Sequence, residues 1–339
     1  MPRLPVALRH DMPRRVFDNL YQLSLPTPFA VGPVNVYLAT DDPITLIDTG
    51  PRAEATKAAL ENELRALGLT ASGIRRILIT HAHSDHFGLA AEIARRGSLP
   101  GVWSHVYNRA WLEDYVTERV NRLAFYSRLL VESGVPHDER KRMEVARRGA
   151  GRVAESVTVI REIGEGDRLD FAGKSWIALH TPGHAGGMVC FFDPESRVLI
   201  SSDHLLRDIS SNPIVEPPAV PGDPKPRRLV EYLREMKRVA DLHPTVAWTG
   251  HGEPVTDVGR LVRQRLAFHS RRAQRIIETI GGGEMTAYQI GLPLFGRLDP
   301  TDSFLALSEV IGHLEWLEGQ RRVASELRSE TRYWRSAKI

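Results

Sequence analysis

The stretch THAHSDHFG, residues 80–88, puts three histidines and an aspartate within the six positions from His81 to His86. Folding alone does not require such a concentration of groups that bind metals or protons. The flanks set its context. IRRILIT (74–80) predicts a strand running straight into the loop, and GLAAEIARRG (88–97) predicts a helix stopped by Gly97. The histidines therefore sit where a strand turns into a helix, which points to a β–α alternating chain.

The same alternation is found on both sides. VNVYLAT (34–40) and ITLIDTG (44–50) predict strands separated by the turn signal DDP, and a helix is expected from about Ala53 to Leu67, ending at Gly68. Residues 105–150 change character. Leu112, Tyr115, Val116, Val120, Leu123, Ser127 and Leu130 fall near helical spacing, and a second helix is expected from Pro136 to about Arg148, so this segment reads as a helical insertion. Strands return at 156–160, 167–173, 175–180, 187–193 and 197–203. A proline-rich loop (213–226), an amphipathic helix through Leu229, Leu233 and Met236, and a strand in TVAWTGHG (245–252) follow. From about Asp257 the pattern is helical to Ile280, then TAYQIGLPLF (286–295), a helix around 303–318 and a hairpin over 321–337. The expected division is a larger domain over 1–256 and a smaller one over 257–339.

With 339 residues, 42% of them hydrophobic, the chain can bury a substantial core. A net charge of +3 is too balanced to demand a nucleic-acid partner. The single cysteine, Cys190, excludes an intrachain disulfide and reads as a small buried residue of a strand. MPRLPVALRHDMPRR at the N-terminus has no long apolar run, and nothing elsewhere is long and apolar enough to span a bilayer, so the expectation is a cytoplasmic protein without membrane contact.

Two histidines at i and i+2 after a strand can point at one ion, and Asp85 with His86, where the helix begins, can reach a second. One catalytic zinc seldom needs all four, because it takes about three protein ligands and keeps a position open. Further ligands should end other strands: His184 in HTPGH, Asp203 in LISSD and His251 in TGHG. His10, His105, His137, His243, His269 and His313 read instead as surface or satisfied core residues.

In type and chain order this set resembles the metallo-β-lactamase superfamily of metal-dependent hydrolases, over roughly residues 20–256, with Asp48 of LIDTG matching an early strand-end aspartate. The resemblance implies an α/β fold, an αββα sandwich of two mixed sheets with helices outside and the site at one sheet edge. It implies two divalent ions, zinc foremost, with iron or manganese also compatible with nitrogen and oxygen ligands. His81, His83 and His184 would hold one, Asp85, His86 and His251 the other, and Asp203 would bridge them. Asp48 would order the metal loop from behind. A hydroxide formed from metal-bound water would attack a carbonyl, with Asp203 positioning it and Asp85 orienting it or relaying its proton.

The substrate is less marked. Some lactonase relatives carry a tyrosine three residues after the bridging aspartate; here that residue is Leu206, and His204 is the nearest polar candidate for an oxyanion contact, a structural role being an equal alternative. Tyr107, Trp111, Tyr115, Phe125 and Tyr126 could line an apolar pocket, although packing of the insertion onto the body is the simpler reading for each. Residues 257–339 resemble the winged-helix-like tail of one branch of the superfamily, which holds both thioesterase-like hydrolases and an endoribonuclease. Glu309, Glu315 and Glu318 on the candidate recognition helix would repel phosphate, so packing, pocket closure or homodimer formation is favoured over nucleic-acid binding. The expected activity is hydrolysis of a small ester, thioester or lactone, in the glyoxalase II-like broad group. The alternative is a metal-dependent endoribonuclease acting on single-stranded RNA. A nucleic-acid binder with a vestigial site is disfavoured because every expected ligand is present.

Overall fold

A computed structural model of the protein describes residues 12–149, 153–219 and 222–337. The N-terminal stretch through residue 11, with His10, lies outside them, as do the end of the helical insertion at residue 150 and residues 220 and 221 of the proline-rich loop.

The first sheet runs in chain order: β1 (Arg14–Phe17), β2 (Leu20–Leu25), β3 (Val34–Ala39), β4 (Thr45–Ile47), β5 (Arg76–Ile79), β6 (Val102–Ser104) and β7 (Val159–Glu162). It is antiparallel as far as β4 and parallel from there on. The parallel steps carry helices as crossovers: α1 (Glu54–Ala66) between β4 and β5, then α2 (Ser84–Phe87) and α3 (Ala90–Arg96) between β5 and β6. The second sheet has β8 (Arg168–Phe171), β9 (Lys174–His180), β10 (Val189–Asp193), β11 (Val198–Ser202) and β12 (Val246–Thr249) side by side, with only the last pair parallel. The insertion forms α4 (Arg109–Glu113), α5 (Tyr115–Glu132) and α6 (His137–Gly149). Helix α7 (Arg228–Asp241) links β11 to β12, and the chain ends with α8 (Val258–Ile280), β13 (Glu284–Thr286), α9 (Ala287–Phe295), α10 (Pro300–Gly319), β14 (Val323–Arg328) and β15 (Thr331–Ser336).

Strand alternation separates four layers, because successive side chains leave a strand on opposite faces. Tyr37, Ile47 and Leu78 of the first sheet meet Trp176, Ala178, Phe191 and Ile200 of the second in the central core. The opposite faces carry Val36, Leu46 and Ile77 against Leu60 and Leu64 of α1 and Ile93 of α3. On the other side Leu179, Cys190 and Leu199 pack under Leu229, Met236 and Val239 of α7 and Leu261 of α8. This is the expected αββα sandwich. Cys190 is buried in β10 as expected, and burial pushes its thiol up to about 12, which leaves it inert.

Some elements differ from the expectation. The hairpin β1–β2 was not legible as strands, and β7 begins at Val159 rather than Ser156. The first helix of the insertion breaks at Asp114, whose side chain caps α5 by accepting from the Thr117 amide. A fourth core joins Leu129 and Leu130 of α5 and Met143 of α6 to Ile276 of α8, Ile290 of α9 and Phe304, Val310 and Leu314 of α10. The insertion and the C-terminal elements therefore pack as one body of helices. Within it α10 is an interior helix: Glu309 and Glu315 are themselves buried, not presented to solvent. Among the described residues no helix is long and apolar enough to cross a membrane.

Candidate metal centre

The expected ligands converge at one edge of the sandwich, each just beyond a strand. His81 follows β5, His184 lies in the β9–β10 loop, Asp203 follows β11 and His251 follows β12. His83 and Asp85 come from the turn into α2, and His86 from α2 itself. One ligand atom each from His81, His83 and His184 fall within 4.8 Å of one another, and so do those of Asp85, His86 and His251. In the first set, His83 Nδ1 is 3.1 Å from His81 Nε2 and 2.9 Å from His184 Nε2. In the second, His251 Nε2 is 3.4 Å from Asp85 Oδ2. Asp203 stands between them, Oδ2 at 3.5 Å from His184 Nε2 and 3.6 Å from His251 Nε2, Oδ1 at 3.5 Å from His86 Nε2.

What lies behind the ligands decides which nitrogen each ring turns inward. His86 Nδ1 donates to Asp48 Oδ2 (2.8 Å), His184 Nδ1 to the Asn212 carbonyl (2.9 Å) and His251 Nδ1 to the Pro33 carbonyl (2.8 Å). Thr80 Oγ1 donates to Asp48 Oδ2 (2.7 Å), which leaves its oxygen 3.1 Å from His81 Nδ1 to accept that proton. With Nδ1 protonated, His81, His86, His184 and His251 each present an Nε2 lone pair to the centre, the state a metal ligand needs. Asp48 is thus the anchor expected of it and also takes the Thr80 amide (2.9 Å). Thr80, Asn212 and Pro33 share this supporting role and carry no sequence signal for it.

The donor set fits a pair of cations. His86 Nε2, His251 Nε2 and Asp203 Oδ1 are buried and complete no hydrogen bond within the protein, although a carboxylate or imidazole stands 3.4–3.6 Å from each, an arrangement that cations between them would satisfy. Burial acts to lower His86, yet the Asp203, Asp48 and Asp85 carboxylates outweigh it and favour a positive charge there. Burial, with the neighbouring His184, lowers His83 to about 3, so it stays neutral and able to ligate. Burial would raise Asp85, but His86 and His251 bring it down to about 2, and it stays ionised.

His204 does not face this centre. Its ring is fully buried on the α7 side of β11, T-shaped to Tyr232 at 5.6 Å, and burial lowers it to about 3. An oxyanion contact finds no support in that position. His269, Glu309 and His313 make a second buried cluster, in which His313 Nδ1 donates to the Glu309 backbone carbonyl (2.7 Å) and His269 Nδ1 lies 3.2 Å from His313 Nε2. The two histidines are core residues, as expected, whereas Glu309 was expected on an exposed helix face.

A cavity of about 470 Å³ opens beside His83. Tyr107, Trp111, Tyr115 and Tyr126 line it, while Phe125 packs into the fourth core instead. The far wall comes from Ile214 to Ala219 and from Thr301, Phe304 and Leu305 at the start of α10. Polar groups there were not foreseen: Arg119, Arg122 and Glu216 line it, with Arg228 behind Gly186.

The family model described as the metallo-beta-lactamase superfamily matches residues 30–251. The "Probable metallo-hydrolase YqjP" of Bacillus subtilis is 34% identical over 95% of this chain and 99% of its own. An "Atrochrysone carboxyl ACP thioesterase" of Passalora fulva is 23% identical, over 91% of this chain and 78% of that protein. Among solved structures, a metallo-beta-lactamase family protein from Thermus thermophilus aligns with a TM-score of 0.79 and 30% identity, over 95% of this chain and all of the other.

Proposed function

The chain belongs to the metallo-β-lactamase superfamily of hydrolases, and we propose that it cleaves the acyl bond of a small ester, thioester or lactone at a dinuclear zinc centre. The observation that carries this reading is the junction of two ligand sets with a small, aromatic-walled cavity at His83. His81, His83 and His184 would hold one ion and Asp85, His86 and His251 the other, with Asp203 shared between them. Divalent ions bound there polarise an acyl oxygen and lower the pKa of a coordinated water towards neutrality, so no serine or cysteine nucleophile is called for.

The chain's own groups do the rest. Asp203 is buried between the two sets and would position the attacking water. Asp85, ionised and partly exposed, would accept a hydrogen bond from that water. The walls of the insertion and of α10 exclude bulk solvent from an apolar acyl group.

The thioesterase named among the relatives supports the acyl class. Burial of Glu309 and Glu315 in α10 supports a small substrate over RNA, since that helix offers no exposed basic face. The test is metal analysis of the purified protein, followed by turnover of thioesters, esters, lactones, phosphodiesters and short RNA. We expect bound zinc and acyl turnover, lost in Asp203→Ala by more than the about 10–100-fold typical of a change behind the ligands. RNA cleavage abolished by Asp203→Ala, with no acyl hydrolysis, overturns the reading, as does protein purified without chelator that holds no metal.

A further inference from the structure

Tyr115, Arg119, Arg122 and Tyr126 stand at i, i+4, i+7 and i+11 along α5, hence on one helix face, and all four line the cavity beside His83. The charge on this wall is not balanced. Arg122 Nη1 donates to Glu216 Oε1 (3.0 Å), but Glu216 Oε2 is taken by Arg228 Nε (2.8 Å) and the Gly186 amide (2.8 Å). One carboxylate thus serves two guanidinium groups, and although Arg228 has a second carboxylate partner in Glu231 (2.7 Å), Arg122 has besides Glu216 only the neutral Tyr126 hydroxyl. The Arg122 guanidinium lies over the Trp111 indole, 4.4 Å from the ring centre. Arg122 Nε and Trp111 Nε1 are both buried without an acceptor. Neither nitrogen can accept a hydrogen bond, so the Arg122–Trp111 part of the wall offers donors and positive charge, while the Glu118 carboxylate lines the cavity one helical turn away. A planar guanidinium held on an aromatic face suits a planar anion above all others.

Resting on the acyl-hydrolase reading, we infer that the substrate carries, besides its scissile acyl group, a carboxylate bound by Arg122 on the α5 wall, with Trp111 beneath it. Arg122 is then a specificity determinant and takes no part in bond cleavage. Glu216 holds the guanidinium in place and, through the Gly186 amide, ties it to the loop that carries His184.

The test compares two matched thioesters on the holoenzyme, one with an acyl chain ending in a free carboxylate and one with that carboxylate as its methyl ester. The expected result is a kcat/KM ratio of about tenfold or more in favour of the acid, carried by KM. In Arg122→Gln the ratio falls towards one, and in Arg122→Lys part of it returns. Because both substrates meet the same preparation, the ratio survives a partial loss of folded enzyme. Calorimetric titration with linear dicarboxylates and the monoacids of equal length reads the same subsite without turnover. Tighter binding of a diacid, lost in Arg122→Gln, supports the subsite even if none of the acyl compounds is cleaved, an outcome that would sink the acyl-hydrolase reading alone. Equal handling of acid and ester by the wild type, or a preference unchanged in Arg122→Gln, overturns the inference.

Discussion

A β-carbon on Gly250 would stand 2.1 Å from Asp203 Oδ1 and 3.0 Å from the His86 ring. Gly250 is therefore the empty space in which the carboxylate shared by the two ligand sets sits. The backbone there is tied down as well, since the Gly250 amide donates to the Ser202 carbonyl (2.8 Å) and its own carbonyl accepts from the Asn35 amide (2.7 Å). Neither strand can retreat cheaply. Gly250→Ala is expected to displace Asp203 and cut metal content and turnover while the sandwich stays folded. Elemental analysis alongside circular dichroism checks it, and full metal occupancy with normal turnover would contradict it.

Asp48 receives four donors, from His86, the Thr80 amide, the Thr80 hydroxyl and, at 3.4 Å, the Ser202 hydroxyl. It does so from a left-handed backbone (φ 60°), which asparagine also tolerates. Asp48→Asn therefore keeps the fold and removes the charge that holds the His86 tautomer. Metal affinity is expected to fall by about 10–100-fold. Competition with a chromogenic chelator measures it, and an unchanged affinity would show that the tautomer is set by other groups.

The carboxylates and imidazoles of the centre crowd together with unpaired buried atoms, so stripping the ions should destabilise the fold as well as abolish turnover. Metal bound only by the native state adds about 2.7 kcal/mol at a hundredfold excess over Kd. The melting temperature is expected to fall in chelator, to recover on adding zinc, and to rise further with free zinc. A melting temperature indifferent to metal would refute this.

His269 and His313 are fully buried between α8 and α10, and burial lowers them to about 3 and about 4. In the unfolded chain both titrate near 6.5, so below that pH the unfolded state binds protons that the native state refuses. Their contribution is complete above about pH 6.5 and is lost as the pH falls, at up to about 1.4 kcal/mol per pH unit for each. Denaturant unfolding at pH 7 and pH 5 should show the loss, and His269→Gln should make the dependence shallower. An equally steep dependence in the variant would place the effect elsewhere.

The clustering of the candidate donors was legible because metal chemistry writes itself locally. Residues 81–86 bring four donors together in one turn after a strand, and His184, Asp203 and His251 each end a strand in a tight loop. The layers were legible for a similar reason, since alternation in β3, β5, β9 and β10 states which side chains share a face. The hairpin β1–β2 was not, because it is completed by pairing with β3 and not by its own pattern. His204 looked like a catalytic group by adjacency, but one residue beyond Asp203 the chain has turned to the α7 side of the sheet.

Local spacing alone shows which side chains are candidates to hold ions and which side of each strand faces the core. Both depend on spacings of a few residues along a backbone of known geometry. The cavity and its charge emerge only when the chain is folded. Arg122 and Glu216 are 94 positions apart, and α5 reaches the start of α10 only because the insertion and the C-terminal helices bury their apolar faces in one core. Such a meeting has no local pattern, because burial selects faces and leaves the partner to the fold.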